Sequence, residues 1–472
     1  MKKIVRVILF FVPFLLGVIG YYGVAGESLG NSLFYSMSFY ALSFVSEAPN
    51  LLVEFARWLA PLMTAGGVIL IINSLRERLR AWIVGARKGS IAVCGAEEEI
   101  RPVLEELGAR GIRIRDRLPR AERYIFLGEE RENFLFYEKY QKELAGKQVY
   151  LRCASMNGRK AAPDLKLFSE EEIAARLYWK KYGIWQEARE KDYRMKLVFL
   201  QFGPLEEQLL LWGLQNNIFS PGQELEYHIF GETGRFRAIY HELDHMEDRI
   251  IYHEEPWYEA QALLLEADRI FVCDTTGVLS DLLYALPQKR VHVLADGRDV
   301  ACYEEQSRLV VFNWKQEALT VEHILDEALL VRAKHINLRY AHLYSGVEET
   351  KQNLEDQWNQ LDAFTRYSNI SAADYHEVRL QMIEDWKQET GKQEPDEEYL
   401  RYLAELEHIR WNRYHYIHNW RLGTPENGKN EDKARRIHRD LIPFGELTEG
   451  EKEKDAENIR VLLSMDVCLA GK

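Results

Sequence analysis

Leu51-Leu-Val-Glu-Phe-Ala-Arg-Trp-Leu-Ala-Pro-Leu-Met-Thr-Ala-Gly-Gly-Val-Ile-Leu-Ile-Ile-Asn-Ser-Leu75 is the stretch on which the fold class turns. A helix crosses a bilayer with roughly 18 or more mainly apolar residues, and this segment reaches that length despite Glu54 and Arg57 near its first end. Arg76, Arg78, Arg80, Arg87 and Lys88 follow it, the composition of a cytoplasmic flank. The segment therefore predicts a membrane span. Directly after it, Ser90-Ile-Ala-Val-Cys-Gly95 predicts the first strand of an α/β domain. A membrane helix joined so closely to such a domain either transmits force to it or simply anchors it.

Upstream, Lys2, Lys3 and Arg6 precede the apolar run from Val7 to Ala25. A signal peptide has the same layout, with Val24-Ala-Gly26 offering small residues for cleavage, but two spans place both basic ends on one side. The expectation is a multi-pass protein of the inner membrane with both termini cytoplasmic. Between the runs, Asn31 to Val45 is amphipathic at helical spacing and too short to cross and return, as in interfacial or re-entrant segments. This layout of span, half-helix and span resembles the pore module of two-helix potassium channels, and the resemblance implies a homotetramer around one pathway through the lipid bilayer. The glycine-rich filter of those channels is replaced by Ser43-Phe-Val-Ser46-Glu47-Ala-Pro49. A pore lined by Ser43, Ser46 and Glu47 would lack the carbonyl cage that selects potassium. The alternative is a half-helix that only packs between the spans.

At 472 residues the chain has room for about three domains. A net charge of -13 speaks against nucleic acid as a partner, because such surfaces neutralise phosphates with Lys and Arg. The five cysteines, Cys94, Cys153, Cys273, Cys302 and Cys468, form no CxxC pair, which fits a reduced compartment and no structural zinc.

Strands are predicted at Ile91–Gly95, Ile112–Ile114, Tyr124–Gly128 and Val149–Cys153, with a helix over Glu97–Leu107. This alternation implies a parallel sheet. Its position after a membrane helix resembles RCK domains, the Rossmann-like regulators of potassium conductance. Their phosphate loop is not kept, since Gly95 is followed by Ala96 and then Glu97 to Glu99, which would repel a pyrophosphate at a helix N-terminus. A charged helical spacer, Glu170 to Asp192, leads to a second unit with strands at Met195–Gly203, Glu226–Gly231, Ala267–Asp274 and Arg290–Ala295. Its loop Phe202-Gly-Pro-Leu-Glu-Glu207 resembles the glycine turn of TrkA-type nucleotide-binding domains, with Glu206 in place of a glycine. No resident cofactor is expected, NAD or another nucleotide being the candidate that such loops would hold. Asp274-Thr-Thr-Gly277 is a strand end that fits either a ligand or a capped helix start. His241 and His245 lack metal-site order and read as a solvated face.

From Leu354 the chain reads as helical. It carries Leu403-Ala-Glu-Leu-Glu-His-Ile-Arg-Trp411, His418-Asn-Trp-Arg-Leu-Gly423, Lys433, His438 and Leu441-Ile-Pro-Phe-Gly-Glu-Leu447. These motifs, in this order, resemble the RyR domain, a small helical repeat. Asn419 stands where bacterial members of that family usually have glycine. Glu407 and Trp411 share a helix face with Arg410 beside them. Aromatic faces (Trp411, Trp420) with cations (Arg410, Arg421, Lys433) suit an anionic aromatic ligand, and Glu407 and His408 suit a base or ribose. Arg366 and Asn369, on the helix before this region, join the candidate ligand-binding set. The opposing reading makes Trp411 and Trp420 core and Glu407 a structural ion pair.

The expected architecture is a membrane α-helical module (1–88), two Rossmann-like α/β units (89–190 and 191–345) and a C-terminal α-helical RyR domain (354–472). The expected function is a channel-like protein gated by a nucleotide-derived ligand, with a non-conducting membrane-tethered sensor as the alternative. No nucleophile–base pair or intact phosphate loop argues for an enzyme.

Overall fold

The structure is a computed structural model that describes residues 2–45, 50–115, 117–154, 164–273, 277–296, 306–426 and 428–470; at 2–9, 66–74, 77–78, 306 and 466–470 only the backbone is described. The chain forms two compact units, Met1–Ser90 with Pro119–Ala121, and Ile91–Leu118 with Glu122–Lys472.

The first unit is helical. Lys2–Val18 loosens into a π-turn at Ile19–Val24, and Leu29–Ser38 and Leu51–Gly85 follow. The Ser28 and Asn50 side chains accept from the backbone N–H groups of Asn31 and Val53, capping the second and third helices. Tyr21, Phe39, Val53, Ala56 and Ala60 form the core of the unit. Among the described residues, no helix is long and apolar enough to cross a membrane. This corrects the expected two-span pore module, and with it the ion-channel reading and the inner-membrane location. The first apolar run divides because its α-helix ends after 17 residues. Leu51–Gly85 opens with Glu54 and Arg57, paired on its surface at 3.5 Å, and the side chains at 66–74 lie outside the described residues. Ser43 sits exposed in the loop after the short helix, while Ser46 and Glu47 lie outside the described residues. The unit exposes Phe11, Phe34, Met37, Phe55 and Trp58.

The second unit holds two fully parallel Rossmann-like sheets. The first comprises β1 (Ile91–Cys94), β2 (Gly111–Arg113), β3 (Arg123–Phe126), β4 (Gln148–Arg152) and β5 (Leu165–Phe168), in the order β2-β1-β3-β4-β5. The second comprises β6 (Arg194–Phe199), β7 (Glu224–Phe230), β8 (Arg249–His253), β9 (Arg269–Val272), β10 (Val291–Ala295) and β11 (Leu309–Asn313), in the order β11-β10-β9-β6-β7-β8. Counted from its own first strand, the second order is 3-2-1-4-5-6, that of dinucleotide-binding sheets, and the first is 2-1-3-4-5, as in flavodoxins. In both, the strand order reverses beside the opening strand, so any crevice lies where β1 and β6 end.

Both crevices are filled by the chain itself. A Cβ at Gly95 would stand 2.9 Å from the Leu127 Cβ, so this glycine serves close packing of strand ends. Glu97 pairs with Arg113, and Glu99 bonds Arg152 at 3.0 Å. In the second sheet, Glu206 accepts the Gly203 N–H at 3.1 Å, and its carboxylate sits at the N-terminus of the helix Pro204–Asn216. Burial pushes the Glu206 carboxyl up, against hydrogen bonds from the Cys273 thiol and the Gly203 N–H. A pyrophosphate would meet this carboxylate instead of open amides, so the residues present do not fit a dinucleotide. Residues 274–276 of the other strand-end candidate lie outside the described residues.

The segment read as a spacer is core. Glu170–Lys181 buries Ile173, Tyr178 and Trp179, and its hydrophobic cluster runs from the second sheet into the C-terminal helices Val331–Ser345, Ala363–Thr390 and Glu397–Ile417. Tyr178 bonds His292 Nδ1 at 2.7 Å, and Arg269 donates to the Tyr178 hydroxyl at 3.2 Å. Two ion pairs fix the C-terminal helices, one to the helix Glu170–Lys181 and one to the residue before β8. Arg176 grips Asp374 at 2.6 and 2.9 Å. Arg413 donates to Asp248 at 2.6 Å and to Leu214 O at 3.1 Å, and the Gln223 amide donates to Asp248 at 3.0 Å. The Arg413 and Asp248 side chains are 1% and 0% exposed, so neither charge has water as a substitute partner. Arg413→Ala should lower the free energy of unfolding by about 3–5 kcal/mol, because it strands a buried carboxylate. Arg249→Ala, at a salt bridge whose arginine is 68% exposed, should change it by less than about 0.5 kcal/mol. Urea denaturation of both variants checks this, and equal effects would refute it.

Candidate functional site

The helix Glu397–Ile417 organises the C-terminal region. Asp396 caps it by accepting the Tyr399 N–H, and its other end closes in a tight turn. Asn419 N–H donates to Tyr416 O and Trp420 N–H to His415 O, both at 2.9 Å, with Asn419 at φ +57°. This is the Schellman arrangement, which asks for a left-handed residue at the position of Asn419. Asparagine tolerates that conformation better than other non-glycine residues, so the turn forms without a glycine. The turn drives Trp420 inward to 3% exposure, stacked on Phe364 at 5.1 Å and 27°. Trp420 is therefore core, and it does not face a ligand.

About three turns earlier in the same helix, the charges are internal. Glu407 receives Arg410 Nη2 at 2.7 Å and Nε at 3.1 Å, and it also holds Arg379 from the helix Ala363–Thr390. Arg410 Nη1 donates to Ser371 Oγ at 2.9 Å. Burial pushes the Glu407 carboxyl up, but Arg410 and Arg379 outweigh it and hold the group below the usual carboxylate range. His408 donates from Nε2 to Ile442 O at 2.8 Å, and its Nδ1 lies 3.3 Å from Asp455. Both imidazole nitrogens thus have protein partners, and the Glu407 carboxylate has two. Their first role is structural.

These residues nonetheless back a cleft of about 350 Å³. Asn369, Glu407, His408, Arg410 and Trp411 line it, together with Tyr340, Asn430, His438, Asp440, Glu451, Lys454, Asp455 and Asn458. Its far wall is the helix Glu449–Ala470 and a small sheet of β12 (Arg421–Leu422), β13 (Glu431–Asp432) and β14 (Ile437–His438). Trp411 is half-buried here, with the His415 ring 4.0 Å away and the His438 ring edge-on at 4.8 Å and 80°. His438 Nδ1 accepts the Asp440 N–H at 3.1 Å, which puts the ring proton on Nε2. Asn369 donates to Thr365 O at 3.0 Å and keeps its side-chain oxygen as an acceptor. The remaining candidates lie elsewhere. Arg421 is exposed, Lys433 is an exposed partner of Asp362 at 3.7 Å, and Arg366 lines a different cavity. Tyr340, Asn430 and Glu451 carry no local signal and enter the cleft only through packing. His241 and His245 share Glu242 at 3.3 and 3.1 Å on the surface. Among the described residues, no group of three or more His, Cys, Asp or Glu is placed to hold a metal ion.

Behind Trp411, His415 and His418 donate from Nδ1 to the carbonyls of Trp411 and Tyr414, each at 2.8 Å. Burial pulls His415 down to about 3 and His418 down to about 4. In the unfolded chain both titrate near about 6.5, so below that pH the unfolded state binds more protons. Stability should therefore fall from about pH 6.5 towards pH 4, by up to about 1.4 kcal/mol per pH unit for each histidine. His415→Gln should reduce the slope of unfolding free energy against pH by one proton. An unchanged slope in urea titrations would refute a neutral His415.

No protein-family model matches the chain, nor does any curated protein or solved structure.

Proposed function

We propose that the chain is a small-molecule sensor whose C-terminal helical region takes a ring-bearing, hydrogen-bonding ligand of nucleoside type in the cleft beside Trp411. The observation that carries this reading is the convergence of a half-buried indole, an imidazole N–H and several amide and carboxylate groups on one cavity of about 350 Å³. Ligand sites typically enclose roughly 300–1,000 Å³, and this one stands at the lower end, where a single nucleoside fits better than a dinucleotide. Trp411 supplies a stacking face, while Asn369 and Asn458 offer the paired donors and acceptors that a base edge needs.

The charge distribution refines the expected ligand. Arg410 shares the Glu407 carboxylate with Arg379, and Lys454 pairs with Glu451 at 3.0 Å. Asp440 and Asp455 are further acids in the lining. A polyphosphate would find little uncompensated positive charge, so recognition rests on the ring and its polar edge. Binding would tighten the contact of Glu449–Ala470 with Glu397–Ile417, and the ion pair of Arg413 with Asp248 would carry that change to the second sheet.

Titration of the full chain with adenosine, guanosine and their 5′-monophosphates, followed by tryptophan fluorescence and thermal melting, tests the proposal. At least one nucleoside should raise the melting midpoint, and its monophosphate should bind no more than about tenfold tighter, the worth of a single weak charge contact. Trp411→Phe should fold and lose most of the fluorescence response, and Asn458→Ala should weaken binding by about five- to tenfold. No response to any of the four compounds, or undiminished binding by both variants, would overturn the reading.

A further inference from the structure

A second cavity, of about 110 Å³, lies between the edge of the first sheet and the helix Ala363–Thr390, away from the Trp411 cleft. Its walls are mostly apolar, with Leu167, Ile173, Leu330 and Ile370 among them. Arg366 stands out. Its guanidinium lies 5.5 Å from the centre of the Trp358 ring and donates from Nη2 to the carbonyls of Trp358 and Leu361, each at 3.3 Å. Its Nε is buried without an acceptor, and no carboxylate among the described residues forms an ion pair with it. The other charged groups of the wall are matched. Arg176 holds Asp374, Lys166 reaches Glu327 at 2.9 Å, and Glu172 accepts the Tyr367 hydroxyl at 2.7 Å.

A guanidinium over an indole, with no carboxylate paired to it and an apolar hollow beside it, has the features of a carboxylate receptor. A bound carboxylate would compensate the guanidinium charge, and the hollow would take the apolar part of the ligand. Size limits that part. A cavity of about 150 Å³ holds one benzene ring, so this smaller one suits a short aliphatic chain. We propose that it binds a small organic carboxylate of this kind, with Arg366 holding the acid group. Independently of the geometry, burial draws the Arg366 guanidinium below the ordinary arginine range, and Tyr367, Glu327 and Asp362 only partly offset this; a bound anion would. Because the lining includes β5 on one side and Trp358, Arg366 and Ile370 on the other, occupancy would tie the first sheet to the helical region. This site is distinct from the nucleoside cleft and stands whether or not that cleft binds a nucleoside.

The test is thermal melting of the full chain with butyrate, against butyramide and 1-butanol as neutral matches of similar size. Butyrate should raise the midpoint in a saturable manner and the neutral compounds should not. Arg366→Gln should weaken butyrate binding about ten- to a hundredfold, the worth of one charge-assisted hydrogen bond. Ala363→Leu, which fills the cavity and keeps the arginine, should remove the shift as well, and it serves alone if the first variant does not fold. The proposal fails if butyrate gives no shift with the native sequence, if butyramide matches butyrate, or if butyrate still binds the filled cavity.

Discussion

Everything in the C-terminal region depends on how the helix Glu397–Ile417 disposes of the charges it buries. Glu407, Arg410 and Arg413 are each less than a tenth exposed, and Arg379 faces them from the neighbouring helix. Ions taken out of water at such depth are tolerated only when paired and hydrogen-bonded. The pairing fixes the rotation of Glu397–Ile417 against Ala363–Thr390 through Glu407 and against the second sheet through Asp248. Once these are set, the indole of Trp411 is left at the rim and that of Trp420 is forced inside. The cleft follows from charge neutralisation first and from shape second.

The two parallel sheets answer a different constraint. Each keeps the strand order of a nucleotide-binding fold, and each places its own side chains where a phosphate would lie. At Gly203 the helix N-terminus already holds the Glu206 carboxyl group, which accepts the Gly203 N–H. The sheets are better understood as a scaffold. The segment Val321–Ile324 returns after the second sheet to pack on the first, with Val321 N–H bonded to Glu106 at 2.9 Å, so the two sheets are laced together and not strung in series.

Much of this scaffold is legible in the sequence, because buried parallel strands are short apolar runs such as Ile91-Ala-Val-Cys94 and Val291-His-Val-Leu-Ala295. Edge strands are harder. β5 and β8 are only partly buried, and Lys166, Arg249 and His253 interrupt their pattern. The charges at Glu170–Glu172 and Lys180–Lys181 conceal the packed face of Ile173, Tyr178 and Trp179. In the first ninety residues hydropathy alone suggests spans, but it is blind to the π-turn that ends the first helix. At the site, the spacing of Glu407, Arg410 and Trp411 is visible, whereas the partners that neutralise the charges are not. Arg379 lies 28 positions from Glu407, and Asp248 lies 165 positions from Arg413. No local window contains both halves of either pair.

That last separation bears on inheritance. A helical region resembling a free-standing repeat could in principle be moved between genes, but here its central helix carries an arginine whose counter-charge is encoded on the edge of a sheet. Cut away at Leu354, the segment would keep Arg413 and lose Asp248, Leu214 O and the Trp212 face of the shared core. A recombination breakpoint between the two would leave an uncompensated charge in each product. Drift can alter this chain residue by residue, but its sheets and its terminal helices must be passed on together.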